Sequence, residues 1–355
     1  MSSLATVILL ASASIATATL IGFLIYIVIR YAPIVGRIFE EKPMFLPLRV
    51  KRVEGNEDVR FRTPTGVELV GTYFKARTEA RLGVLVFCHE YLSDRWSAIP
   101  YVDHLRDQGF DLFSFDFRNH GESPKDADYV PLQWVTDHEL DDLRGALAYL
   151  RSRPDADKAG FGLFGVSRGG GTALCVAARD PGVWGVITDG AFPTRGTMLA
   201  YITRWAGIYV GNPFFWKLMP TWVFEFLGWS ARFRTQRKLH CRYANVERAA
   251  AKLAPRPWLM IHGAKDAYIG ADIARGLFDR AREPKEFWLV PGAKHNRCRE
   301  KEPILYPERI STFLRRYSPR TARPASPVPV SSTLTEPGDF APITVSPDFG
   351  VAVAG

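Results

Sequence analysis

The 355-residue sequence predicts an α/β fold: a mostly parallel, twisted sheet with helices on both faces, a helical cap insertion and a transmembrane helix ahead of it. Three observations carry that expectation. From Val59 to Tyr317, short apolar runs alternate with stretches of helical spacing. The apolar runs lack an inside–outside alternation, as strands covered on both faces do. Finally, in "GFGLFGVSRGGGTAL" (Gly160–Leu174) a serine sits between glycines where one such run gives way to helix.

The elements follow in chain order. Residues 4–29 hold no charge and no proline, and at 1.5 Å per residue such a run can cross a bilayer as a helix. It is too long for a secretory signal, and "MSS" supplies no basic n-region. Arg30, Arg37 and Lys42 follow the span and no basic side chain precedes it, so the positive-inside rule places the large domain in the cytoplasm. Residues 30–58 read as a linker, which leaves the span separate from the first strand and without a catalytic group.

"VRFRTPTGVELVGTYFKA" reads as a hairpin turning at Thr63-Pro-Thr-Gly. "GVLVFCH", "FDLFSFDF", "FGLFGV", "VWGVIT", "PWLMIHG" and "EFWLVPG" read as buried strands. "DHELDDLRGALAYLRSR" reads as a helix, with acids in its first turns and arginines in its last to suit the macrodipole. The core is therefore 59–192 and 256–317. Residues 193–255 form the cap, dense in Trp205, Tyr209, Phe214, Phe215, Trp216, Trp222, Phe224, Phe226 and Trp229. Its apolar underside is expected to receive an acyl chain. Residues 318–355, rich in Pro, Ser and Thr, read as a disordered tail.

Composition narrows the function. The net charge of +9 comes from bases scattered among acids, densest at Arg315, Arg316, Arg320 and Arg323, and no nucleic-acid motif accompanies it. Cys88, Cys175, Cys241 and Cys298 lack metal or disulfide spacing and read as free thiols. No cofactor or metal cluster is expected.

Gly165-Val166-Ser167-Arg168-Gly169 is a G-x-S-x-G on a strand-to-helix turn, which exposes the serine hydroxyl at the sheet edge. A neutral serine needs a base, and the base a carboxylate to orient it. "WLVPGAKHNRC" puts His295 just after one strand, and "MIHGAKDAYIG" puts Asp266 after the strand before it. His120 and His262 are rival bases, and Asp189 is a rival acid. Asp116 and Arg118 read as a structural ion pair with each other.

With those residues in place, the region from Val59 to Tyr317 resembles the α/β-hydrolases, whose triad runs Ser…Asp…His. "FDFRNHGES" resembles that family's D-x-R-G-x-G-x-S segment, with Asn119 at its first glycine. "VFCHEYLSDRWS" resembles the H-G-x segment that supplies an oxyanion-hole amide. Within the superfamily the chain looks most like membrane-anchored serine hydrolases, then dienelactone-hydrolase-like members. The resemblance implies Ser167, Asp266 and His295 as catalytic residues. It implies the amides of Tyr91 and Arg168 as the oxyanion hole, and an acyl ester, thioester or lipid-like substrate. Peptidase or amidase, acyltransferase and non-catalytic membrane-scaffold roles would share the fold. Glu90 replaces the family glycine and is expected to point outward, away from the oxyanion hole.

Overall fold

The computed structural model describes residues 2–40, 48–209 and 219–321. The expected tail from residue 322 onward, Lys42 and the cap residues Phe214, Phe215 and Trp216 lie outside them.

Helix α1 (Ser2–Glu40) is followed by β1 (Glu57–Arg62), β2 (Glu68–Phe74) and β3 (Gly83–Cys88). Next come α2 (Ala98–Val102), β4 (Phe110–Phe115), α3 (Asp137–Ser152), β5 (Phe161–Val166), α4 (Arg168–Ala177) and β6 (Val183–Asp189). The cap contributes α5 (Thr194–Tyr209) and α6 (Thr221–Lys238), and α7 (Val246–Ala251) returns the chain to the core. Last are β7 (Trp258–Gly263), α8 (Ala271–Phe278), β8 (Lys285–Val290), α9 (Cys298–Lys301) and α10 (Leu305–Tyr317).

The described residues form an eight-stranded sheet in the order β1-β2-β4-β3-β5-β6-β7-β8. Only the β1–β2 and β2–β4 pairings are antiparallel. The first hairpin closes where expected: Gly66, at φ +90°, donates its amide to Thr63 O at 2.9 Å. Strands β3, β4, β5 and β7 are buried along their whole length, so each needs a helical layer on either side. Leu143, Leu147, Leu174 and Leu277 pack in the cluster on one face, and Tyr101, Leu105, Ile310 and Phe313 in the cluster on the other. Helix α3 starts with a capping box, Thr136 exchanging bonds with Glu139.

Three sequence boundaries shift. Helix α1 does not end at residue 29 but runs to Glu40, and Ala32, Val35, Ile38 and Phe39 bury against the cap and Trp134. The apolar repeat continues beyond Arg30, so these residues are no linker. Ser3–Phe23 stay exposed. The cap ends before α7, because Val246, Ala249 and Ala250 join the apolar layer around the elbow helix α4. Residues 318–321 also belong to the body, Ser318 Oγ donating to Leu82 O at 3.0 Å and Arg320 pairing with Asp157 at 2.7 Å.

Candidate active site

Parallel strands deliver their carboxyl ends to one edge of the sheet, and side chains there can converge from distant sequence. Ser167 leaves the end of β5 at φ +51° and ψ −116°, a conformation that L side chains rarely adopt. The elbow needs its glycines because backbone crowds both. A Cβ on Gly169 would lie 2.1 Å from Cys88 O, and one on Gly165 would lie 2.4 Å from Gly169 O.

Asp266 follows β7 and His295 follows β8, and the loops are tied by Lys265 N donating to Ala293 O at 2.8 Å. Ser167 Oγ lies 3.0 Å from His295 Nε2, and His295 Nδ1 lies 2.6 Å from Asp266 Oδ2. The other Asp266 oxygen accepts the amides of Tyr268 and Ile269, both at 2.9 Å. Burial pushes the Asp266 carboxyl up, but the His295 hydrogen bond and charge and the Ile269 amide outweigh it and hold it below its ordinary value. Its ionised form is therefore the favoured one beside His295.

The rivals have other partners. His120 Nδ1 bonds Arg118 O at 2.8 Å, and Arg168 Nη2 donates to its Nε2 at 3.2 Å. His262 Nε2 donates to Ile269 O at 3.0 Å, behind Asp266. Asp189 is buried, accepts Tyr306 Oη at 2.9 Å, and is pushed up to about 6 by burial.

Tyr91 follows β3 and lines the same cleft as Ser167 and His295. Arg168 is the first residue of α4, so its amide lacks an intrahelical acceptor.

One expectation is corrected here. Asp116 and Arg118 do not pair with each other. Asp116 bonds the Arg95 amide at 2.7 Å as well as its guanidinium, while Arg118 bridges to Asp142 at 2.6 Å and Asp141 at 3.1 Å. Each carboxylate takes the guanidinium brought to it by a neighbouring loop. Glu90, expected to point away from the oxyanion hole, is not part of the lining of the Ser167 cleft. It is buried behind the loop, accepts Ser97 Oγ at 3.2 Å, and burial raises its carboxyl.

The cap aromatics also lie elsewhere than expected. The cleft at Ser167 is lined by Tyr91, Trp134, Phe192, Tyr201, Tyr268 and Ile269, with about 20 Å³ free. That is space for roughly one water. Tyr201 Oη donates to Tyr268 O at 3.2 Å and so clasps the cap to the Asp266 loop. Trp222 and Phe226 instead line a separate cap cleft of about 420 Å³, and Trp205 packs into the α1–cap cluster.

The sequence reading missed the role of the Arg168 side chain. Its buried guanidinium donates to Leu132 O at 3.0 Å, meets Glu139 at 3.4 Å, and lies over the rings of Tyr91 and Phe117. A residue with its amide beside the nucleophile thus joins two loops and the first turn of α3 through its side chain. Asn119 likewise does more than tolerate its φ of +58°: its amide nitrogen donates to Asp126 O at 2.8 Å and Tyr129 O at 2.6 Å.

A family profile described as the alpha/beta hydrolase fold matches residues 83–249, from β3 past the elbow to α7. The chain has the α/β-hydrolase fold. Among solved members of the fold, an esterase from Pyrococcus furiosus superposes with a TM-score of 0.57 at 20% identity, covering 78% of this chain and 100% of that one. Acetyl xylan esterase 1 from a Thermoanaerobacterium species gives 0.51 at 20%, over 82% and 94%. Likeness at that identity speaks for the hydrolase fold alone. In sequence, YfhR of Escherichia coli is 24% identical over 264 residues, 73% of this chain and 80% of its own. The thiohydrolase aneE of Aspergillus aculeatus is 32% identical over 125 residues, 35% of this chain and 37% of its own.

Proposed function

We propose that this hydrolase is a membrane-anchored serine esterase working through an acyl-enzyme. The observation that carries the reading is the continuous relay from Ser167 Oγ to His295 to Asp266, set on a strained elbow. Ser167 attacks the acyl carbonyl while His295 Nε2 takes its proton, and Asp266 balances the imidazolium. The carbonyl oxygen, now an anion, receives the amides of Tyr91 and Arg168. His295 returns the proton to the departing alcohol, and a water activated by the same imidazole releases the acid. A thioester would follow the same path, and the similarity to a thiohydrolase favours including one among the substrates.

Helix α1 is long and apolar enough to cross a membrane, and its exposed part, Ser3–Phe23, would rise about 30 Å. We assign it as a single-pass anchor, with Arg30 and Arg37 keeping the catalytic domain cytoplasmic.

The test is hydrolysis of short p-nitrophenyl esters and acyl thioesters by full-length protein and its Ser167→Ala variant. The proposal expects turnover of at least one substrate class, lost at least a hundredfold in the variant. Equal rates for the two proteins would remove Ser167 from the chemistry.

A further inference from the structure

Cap helix α6 presents aromatic rings to solvent, although it packs on α1 with its other face. Trp222, Trp229 and Phe233 are 47%, 54% and 49% exposed, and with half-buried Phe226 they recur at one helical spacing. The rings stack along the helix, Phe226 on Trp229 at 6.1 Å and Trp229 on Phe233 at 5.9 Å. Arg237 lies over Phe233 at 5.6 Å and ends the stripe. Such a row of exposed rings on one helix points to a partner surface.

The contacts with α1 say which surface. Lys238 pairs with Glu40 at 2.5 Å, and a Cβ on Gly36 would lie 3.6 Å from Thr235 Oγ1. The two helices therefore run side by side in the same direction. Carried back along both, this register sets Trp229 level with Arg30 and Trp222 level with Phe23. On α1 the uncharged run stops at Arg30. On α6 the residues up to Ala231 carry a single charge, Glu225, neutralised by Arg195 at 2.7 Å, and then Arg232, Arg234, Arg237 and Lys238 follow. Both helices change from apolar to basic at the same height.

We propose that the first half of α6 is a second membrane contact, its Trp222–Phe226–Trp229 face immersed at the bilayer interface beside α1. Indole and phenyl rings suit that depth, and Arg232, Arg234 and Arg237 then meet anionic headgroups. The proposal rests on the reading of α1 as an anchor. It adds that the cap is held against the lipid surface, with the Ser167 cleft on the other side of α5.

The test uses full-length protein in vesicles of phosphatidylcholine and phosphatidylglycerol. A fluorophore is attached to a single introduced thiol in the Trp229→Cys, Ile15→Cys or Ile304→Cys variant; the four native cysteines are buried. Nitroxide lipids then quench by depth. Trp229→Cys should be quenched best by a shallow nitroxide and Ile15→Cys by a deep one. Ile304→Cys, on an 82% exposed position before α10, should be quenched by neither. If the Trp229→Cys label behaves like the Ile304→Cys label while Ile15→Cys is quenched, the anchor stands and the second contact is wrong. Shielding of the Trp229→Cys label from both lipid and aqueous quenchers would mean burial against a second copy, and also overturns it. An unquenched Ile15→Cys label removes the anchor and this inference together.

Discussion

Trp134 donates its indole Nε1–H to the carbonyl of Ile38 at 3.2 Å, joining the end of α1 to a wall of the Ser167 cleft. Phe39, fully buried, packs on the Trp134 ring at 5.7 Å and on Tyr243 at 5.2 Å. The first helix is therefore two parts, an exposed segment and a segment built into the enzyme. Deleting residues 2–23 should leave hydrolysis of a soluble ester within about twofold, whereas deleting 2–40 should abolish it. In a full-length background, Phe39→Ala should cost about 3–5 kcal/mol in denaturant unfolding. Full activity after the longer deletion would show that the α1–Trp134 contact is incidental.

Ser167 and His295 act as one unit in the proposed reaction, so their losses should not multiply. Ser167→Ala, His295→Ala and the double variant should share a similar residual kcat/KM. Asp266→Asn should cost less than removing Ser167. A double variant far below both singles would mean that the two residues contribute independently.

The clasp between Tyr201 and Tyr268 closes a cleft too small for an acyl chain. Tyr201→Phe deletes only the donor. It should raise kcat/KM for longer acyl esters several-fold relative to the acetyl ester. Measuring rate against chain length checks this, and an unchanged slope would make the clasp mere packing.

His89 is fully buried and neutral, taking the Phe117 amide at 3.2 Å and bonding Glu90 O at 2.7 Å. Burial, aided by the Arg168 charge, depresses it to about 3 from 6.5. The unfolded chain therefore binds one more proton between those values, and stability is lost as pH falls from 6.5 towards 3. His89→Gln should flatten unfolding free energy against pH by about 1.4 kcal/mol per unit between pH 4 and 6. Identical slopes for wild type and variant would contradict the assignment.

The sheet, the elbow and the order of the site residues were readable from sequence, because strand periodicity and the Gly165–Gly169 pentapeptide are local signals. The convergence of Asp266 and His295 was readable because each follows a strand of one sheet. What stayed hidden depends on contacts across long separations. Arg168 gives no sign that its side chain reaches Leu132 and Glu139, and the Arg95–Asp116 pairing spans two loops. The continuation of α1 past Arg30 was obscured by its charges, though Ala32, Val35 and Phe39 keep helical spacing. Aromatic density in the cap suggested a pocket, yet density alone does not tell an inner face from an outer one. Trp222 and Trp229 proved to be on the outer one.

In the proposed reaction Ser167 carries the acyl group. Reaction of the folded, full-length protein with a fluorophosphonate, followed by intact mass and peptide mapping, tests it directly. One adduct per chain is expected on the Gly160–Leu174 segment at Ser167, suppressed in His295→Ala and absent from Ser167→Ala. Folded wild-type protein that stays unlabelled, or is labelled equally in Ser167→Ala, would contradict it.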